Sequence, residues 1–321
     1  MIFKGNTGKP IAPFVAVIGG ANLDIHGKSS KKLLPKDSNP GTVRFSAGGV
    51  ARNVAENLTR LGVDCRLISA IGKDHHGKVL MQLCREAGID MQYVQEFASA
   101  PTSTYLSVLD DTGEMHVAVN DMSIIENLSA ERLQQHQAML ENASLTILDA
   151  NLPADALAWL ADTLAENVVF ADTVSAAKAP RLKPILHSIH TLKTSPLEAE
   201  ALTGLEARTE TQLRAITDQL HTAGVKRVFI TRGDQGVFYS TGNQQGVKEL
   251  KRDAHDVHNA GGAGDAFLAG LAYAWLQDWP FDELLQFALA AADITLSHAA
   301  SSSPALSLAA VNRAMETQRA G

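Results

Sequence analysis

Residues 259–270 read NAGGAGDAFLAG, with glycines at 261, 262 and 264 and one carboxylate, Asp265, where the chain turns apolar. A tight turn needs one glycine. Three within four residues, beside an acid, suggest that something approaches the backbone closely. A glycine run entering a helix leaves several N–H groups unpaired and pointing one way. With the helix dipole these make an anion site. Asp265, with an ordinary pKa near 3.9, is a carboxylate at neutral pH and can accept a proton. A phosphate held beside a base that takes a hydroxyl proton is the minimum equipment for phosphoryl transfer. An acid in the first turn of a helix, after a plain glycine turn, accounts for the same residues without chemistry.

Outward from this stretch, short apolar runs alternate with longer amphipathic ones, the rhythm of β-α units around a mainly parallel sheet. FVAVIGG (14–20), CRLISAIG (65–72), LTILDA (145–150), NVVFAD (167–172), IHTLKT (189–194) and RVFITRG (227–233) read as buried strands. GGVARNVAENLTRLGV (48–63) places Val50, Val54, Leu58 and Leu61 at helical spacing, with Gly62 as its stop. Helices are also expected over 77–88 and near 153–165, 196–203, 209–223, 264–278, 282–298 and 306–318. Two stretches break the rhythm. Residues 102–121, TSTYLSVLDDTGEMHVAVND, alternate around a hairpin signal, and 25–47 are polar and turn-rich with one alternating run at the end. Together they suggest a small β-lid, built from about 25–47 and 100–122, over one end of a single domain spanning 1–321.

Composition excludes several classes. The 321 residues are 45% hydrophobic and 20% charged, enough for a large core. A net charge of −7 argues against nucleic acid or an anionic membrane as the main partner. Two cysteines, Cys65 and Cys84, build neither a disulfide framework nor a metal cluster, and the N-terminus lacks the apolar run of a signal peptide. A cytoplasmic protein that does not enter a membrane is expected. No G-x-x-x-x-G-K-[ST] loop occurs. VAVIGGANLD (15–24) lacks the third glycine of a dinucleotide fingerprint, which weakens a nicotinamide dehydrogenase reading.

Other candidates are weaker one by one. Asn22 and Asp24, just past a strand, offer the donors and acceptors that suit vicinal sugar hydroxyls, though both residues are also common in turns. Gly49 and Asn53 open a helix. Thr231, Gly233 and Gly236 follow a buried strand as a second phosphate cradle or a strand-to-strand turn. Glu198, in KTSPLEAE, either orients Mg²⁺ through water or belongs to a capped helix start at Pro196.

Taken in order, these segments resemble the ribokinase-like (PfkB) family of sugar and nucleoside kinases, from about residue 14 to residue 312. GGANLD (19–24) and GGVARNVAENLTRLG (48–62) are similar to its substrate turn and N-terminal signature. HTLKTSPLEAEALTG (190–204) is similar to its N-x-x-E segment, ITRGDQG (230–236) to its T-x-G-x-x-G turn, and NAGGAGDAFLAG to its C-terminal signature. DSNPG (37–41), GGVARN, LDDTGEMHVAVNDM (109–122) and LKTSPLEAE (192–200) resemble the pseudouridine kinases and their pyrimidine-nucleoside relatives within it.

The resemblance implies a three-layer α/β/α sandwich with a small β-sheet lid that often mediates a homodimer. It implies ATP- and Mg²⁺-dependent phosphorylation of a primary hydroxyl, the 5′-OH of pseudouridine or a related nucleoside. On the matching positions Asp265 would be the base, and Gly262, Ala263 and Gly264 the anion hole. Asn22, Asp24, Gly49 and Asn53 would hold the ribose. Ser195, Thr231, Gly233 and Gly236 would lie against the nucleotide, and Glu198 would help place Mg²⁺. Arg52, DSNPG and Asn120 would read the base. Two positions depart from the pattern. Ser195 replaces the family Asn, and Asn259 replaces an Asp that helps bind a monovalent cation, which argues against K⁺ activation. Sugar and nucleoside kinases share these catalytic motifs, which leaves a free-sugar kinase as one alternative; the two departures leave another, a non-catalytic sensor on the same scaffold.

Overall fold

The computed structural model describes residues 13–250, 262–298 and 301–320. Gly261 and Asn259 lie outside the described residues. The main sheet holds β1 (Val15–Ile18), β4 (Cys65–Ile68), β9 (Leu145–Asp149), β10 (Val169–Asp172), β11 (Thr191–Thr194), β12 (Arg227–Thr231), β13 (Val237–Ser240) and β14 (Gln245–Lys248). Their order is β14-β13-β12-β11-β10-β9-β1-β4, parallel from β4 to β12 and antiparallel beyond it. Each central strand from β1 to β11 is buried on both faces, as a sheet covered on both sides requires. Val15 and Val17 face one core, shared with helices Val50–Arg60, Ala263–Leu276 and Phe281–Leu296. Ala16 and Ile18 face a second core, with helices Ala154–Thr163, Pro196–Thr203 and Glu210–Thr222. That is the three-layer α/β/α sandwich.

The second sheet, β3-β2-β7-β8, comprises β2 (Asn22–Ser29), β3 (Gly41–Gly48), β7 (Thr104–Leu109) and β8 (Met115–Asp121). Residues 104–121 form the expected hairpin. Residues 25–47 are more ordered than expected: two full strands pair antiparallel from Asn22↔Gly48 to Ser29↔Gly41. Their composition is polar because one face is not core, so alternation alone hides them. The expected single strand over 65–72 is two. β5 (Ala70–Gly72) breaks away after Ser69 and pairs with β6 (Gln95–Phe97).

Candidate active site

Parallel register sets the site. Asp149, Asp172 and Lys193 come level at the carboxyl ends of β9, β10 and β11, since Asp172 pairs with both Asp149 and Lys193. Open α/β sheets bind ligands at this edge.

Asp149 is buried and ties two loops together. One oxygen accepts the N–H of Gly20 (2.9 Å) and of Ala51 (3.1 Å), and the other that of Asn151 (2.9 Å). The turn after β1 is thereby fixed against the start of helix Val50–Arg60. That turn leads into a lid strand and not into a helix, so it is not a dinucleotide loop. Asn22 and Asp24 are not turn residues either; they are the first and third residues of β2. Both are buried, and the Asn22 amide donates to Asp24 at 2.6 Å. Burial pushes the Asp24 carboxyl up, against the pull of Asn22, His26 and Arg52.

Helix Ala263–Leu276 starts at Gly262, whose φ of 83° is left-handed. A Cβ there would lie 1.7 Å from the Ser301 carbonyl oxygen, so only glycine fits. Asp265 occupies the first turn, 6% exposed, and its Oδ2 accepts from the Asn53 amide at 2.7 Å. Its pKa is not the ordinary one of an aspartate. Burial and the negative charge of Asp172 push it up to about 7, while Lys193, Asn53 and Arg52 pull it down. That is the range in which a carboxylate is an efficient proton acceptor near neutral pH.

Arg52 corrects another expectation. Its guanidinium is 3% exposed and spent on Glu56, the Asn53 side chain and the Ala47 carbonyl (2.6 Å). It orients Asn53, and through it Asp265, and has no access to a nucleobase. DSNPG sits at the far end of β2, roughly 24 Å along the strand from Asn22, too far to reach a base beside it. Asn120, exposed on β8, is better placed. It shares the row Asp24–Tyr105–Asn120 on the face of the lid that carries Asp24, about 10 Å across.

Ser195 and Glu198 form a reciprocal capping box at the start of helix Pro196–Thr203. Glu198 Oε2 accepts from the Ser195 N–H (2.9 Å) and the Thr173 hydroxyl (2.6 Å). Thr231 ends β12, and Gly233 and Gly236 make the turn into β13. Ser195, Thr231, Gly233, Gly236 and residues 262–265 converge on one cavity of about 380 Å³ with an apolar wall of Val237, Leu250, Leu289 and Leu296. A more open concavity of about 450 Å³ adjoins it across Ser195 and Thr231, away from Asp265.

Sequence reasoning missed Asp149, Asn151, Asp172 and Lys193. The first three carried a usable signal: polar groups capping apolar strands at 145–149 and 169–172.

Residues 12–307 match the model of the pfkB family carbohydrate kinases. The chain belongs to this family. The kinase is 40% identical to a pseudouridine kinase of Escherichia coli, over 93% of this chain and 95% of that one. Among solved structures, a carbohydrate kinase from Agrobacterium tumefaciens shares 30% identity with a TM-score of 0.82, covering 95% of this chain and 97% of its own. A ribokinase from Arabidopsis thaliana, complexed with ribose and ATP, has a TM-score of 0.83 at 24% identity, covering 95% and 99%, and shows the common fold. The chain is therefore a kinase of an alcohol acceptor on a nucleoside or sugar, which sets aside the non-catalytic sensor. Among the described residues no helix is long and apolar enough to cross a membrane.

Proposed function

We propose that this kinase transfers the γ-phosphoryl of ATP to the 5′-hydroxyl of pseudouridine or a related pyrimidine nucleoside. The observation that carries the reading is Asp265: a buried carboxylate with a pKa of about 7, at a glycine-capped helix start that opens on the cavity. The 40% likeness to a pseudouridine kinase supports the choice of acceptor.

Asn22, Asp24, Gly49 and Asn53 would grip the ribose, with Asp24 accepting from its hydroxyls. Asp265 would take the 5′-OH proton as the oxygen attacks phosphorus in line. The backbone N–H groups at Gly262, Ala263 and Gly264 would receive the charge on the transferring phosphoryl. The leucine- and valine-lined wall suits the adenine, and Ser195, Thr231, Gly233 and Gly236 the phosphates. Mg²⁺ would offset phosphate charge. The described residues offer no group of three or more metal-binding side chains, which fits an ion that keeps its water and leans on nucleotide phosphates. Both hydrogen bonds to Glu198 fall on Oε2, leaving Oε1 to meet a hydrated cation.

The lid would close over the sugar and keep water from the phosphoryl. On the lid face opposite Asp24, Val43, Phe45, Leu106, Val117 and Val119 are each 45–64% exposed. Such a patch is out of place in water, and pairing of two lids into a homodimer would cover it.

The test is ADP release with Mg·ATP against pseudouridine, uridine, cytidine, inosine, ribose and fructose 6-phosphate, for wild type and Asp265→Asn. Pseudouridine or another pyrimidine nucleoside should be preferred, with kcat at least about 100-fold lower in the variant and nucleoside binding kept. Preference for a bare sugar would discard the nucleoside reading; an active variant would discard Asp265 as base.

A further inference from the structure

We propose that Lys193 is a catalytic residue of this kinase: the cation that meets the transferring phosphoryl group, with Asp172 as the residue that positions it. The inference rests on the ATP-dependent reading above.

Lys193 is 9% exposed, and lysines are rarely buried unless they are paired. Its ammonium lies 3.0 Å from Asp172 Oδ2. It also abuts the helix start, since a Cβ on Gly264 would come within 2.7 Å of Nζ. A side chain at 264 would therefore displace the end of the lysine. Among the described residues that line the 380 Å³ cavity, Lys193 is the only basic one. The same lining carries Asp172 and Asp265. A cavity with two acids and one base is poorly disposed toward a polyphosphate unless that base faces the phosphates. Burial opposes the charge on Lys193, but Asp172, Glu198 and Asp265 outweigh it and keep the ammonium protonated.

The support around the lysine is built to hold. Asp172 Oδ1 accepts the Val174 N–H at 2.7 Å, and Val174 sits at a φ of 64°, a strained conformation for a β-branched residue. Such strain persists only where the surroundings over-determine it, and it gathers at functional sites. Between them, Thr173 donates to Glu198. Residues 172–174 therefore lock the lysine, the cavity wall and the glutamate into one unit.

In the reaction, the 5′-oxygen forms its bond to phosphorus as the bond to the ADP oxygen breaks, and ADP leaves with that electron pair. The hydroxyl proton goes to Asp265. Lys193 keeps its own proton throughout and acts by charge alone.

The full-length protein is compared with Lys193→Met, Lys193→Arg and the double variant Asp172→Asn/Lys193→Met, which leaves no unpaired buried carboxylate at 172. Affinities for Mg²⁺ with the β,γ-imido analogue of ATP, with ADP and with pseudouridine are measured by calorimetry, next to ADP release. Lys193→Met should lower kcat by about 100-fold or more, the scale of one lost transition-state donor. The analogue should bind about tenfold more weakly, with ADP and pseudouridine within about twofold, and arginine should restore part of the loss. The double variant should melt close to wild type yet stay as slow as Lys193→Met. The acid limb of kcat should also move to higher pH. Of the groups facing Asp265, the lysine favours its ionised form, as do Arg52 and Asn53, and Asp172 opposes it. A folded variant with kcat within about threefold of wild type, or one that still separates the analogue from ADP, would reduce Lys193 to a strand-bridging ion pair. The analogue–ADP comparison needs no acceptor. It judges Lys193 even if no nucleoside is phosphorylated, an outcome that would count against the substrate reading alone.

Discussion

An enzyme whose base titrates near 7 should lose activity on mild acidification, and the loss can be moved by one side chain. With the Asp265 pKa at about 7, roughly one molecule in eleven carries the carboxylate at pH 6. kcat/KM for the nucleoside should be about tenfold lower there than on the plateau above pH 8. An aspartate at its ordinary pKa would show no fall in that range. Asn53 donates to Asp265 at 2.7 Å, and a hydrogen bond to a charged group contributes about 1.5–3 kcal/mol. Asn53→Ala should therefore raise the pKa by about one unit or more, at 1.36 kcal/mol per unit. At pH 7 that costs roughly a further fivefold, on top of any loss of ribose binding, which lowers the plateau and leaves the limb in place. The assay is ADP release from pH 5.5 to 9 at saturating Mg·ATP. A flat wild-type profile down to pH 5.5, or a limb that Asn53→Ala leaves unmoved, would refute the electrostatic account.

Other consequences are checked more simply. Because the Asp265 pKa is raised from the ordinary range near 3.9 to about 7, stability falls as pH rises between those values and is level above about 7. The melting temperature of Asp265→Asn relative to wild type should therefore rise by a few degrees between pH 5 and pH 7 and stay level from pH 7 to pH 8; a difference independent of pH from 5 to 7 would contradict this. For the lid, Val119→Glu or Leu106→Glu should convert a dimer to a monomer in light scattering, and a monomeric wild type would end that proposal.

The sheet and most helices were legible because their signal is local. Runs such as VAVI and the VFI of β12 are apolar on both faces, and period 3.6 marks Val50–Arg60. The glycines and acid of 262–265 were legible for the same reason, since a turn that must meet an anion is written in consecutive residues. The lid was half legible. Its DDTG hairpin has a turn signal, whereas β2 pairs with β7 across some eighty residues and its polar face looks like loop. What the sequence by itself determined, then, was the strand–helix rhythm, the glycine turn and the family to which their order belongs. Tertiary structure alone decided the electrostatics. Parallel register sets Asp172 beside Lys193, and helix packing brings Asn53 to Asp265, 212 positions away. That convergence raises one carboxyl to about 7 and keeps one ammonium charged. Charge acts through space and burial, and neither is a property of neighbouring letters.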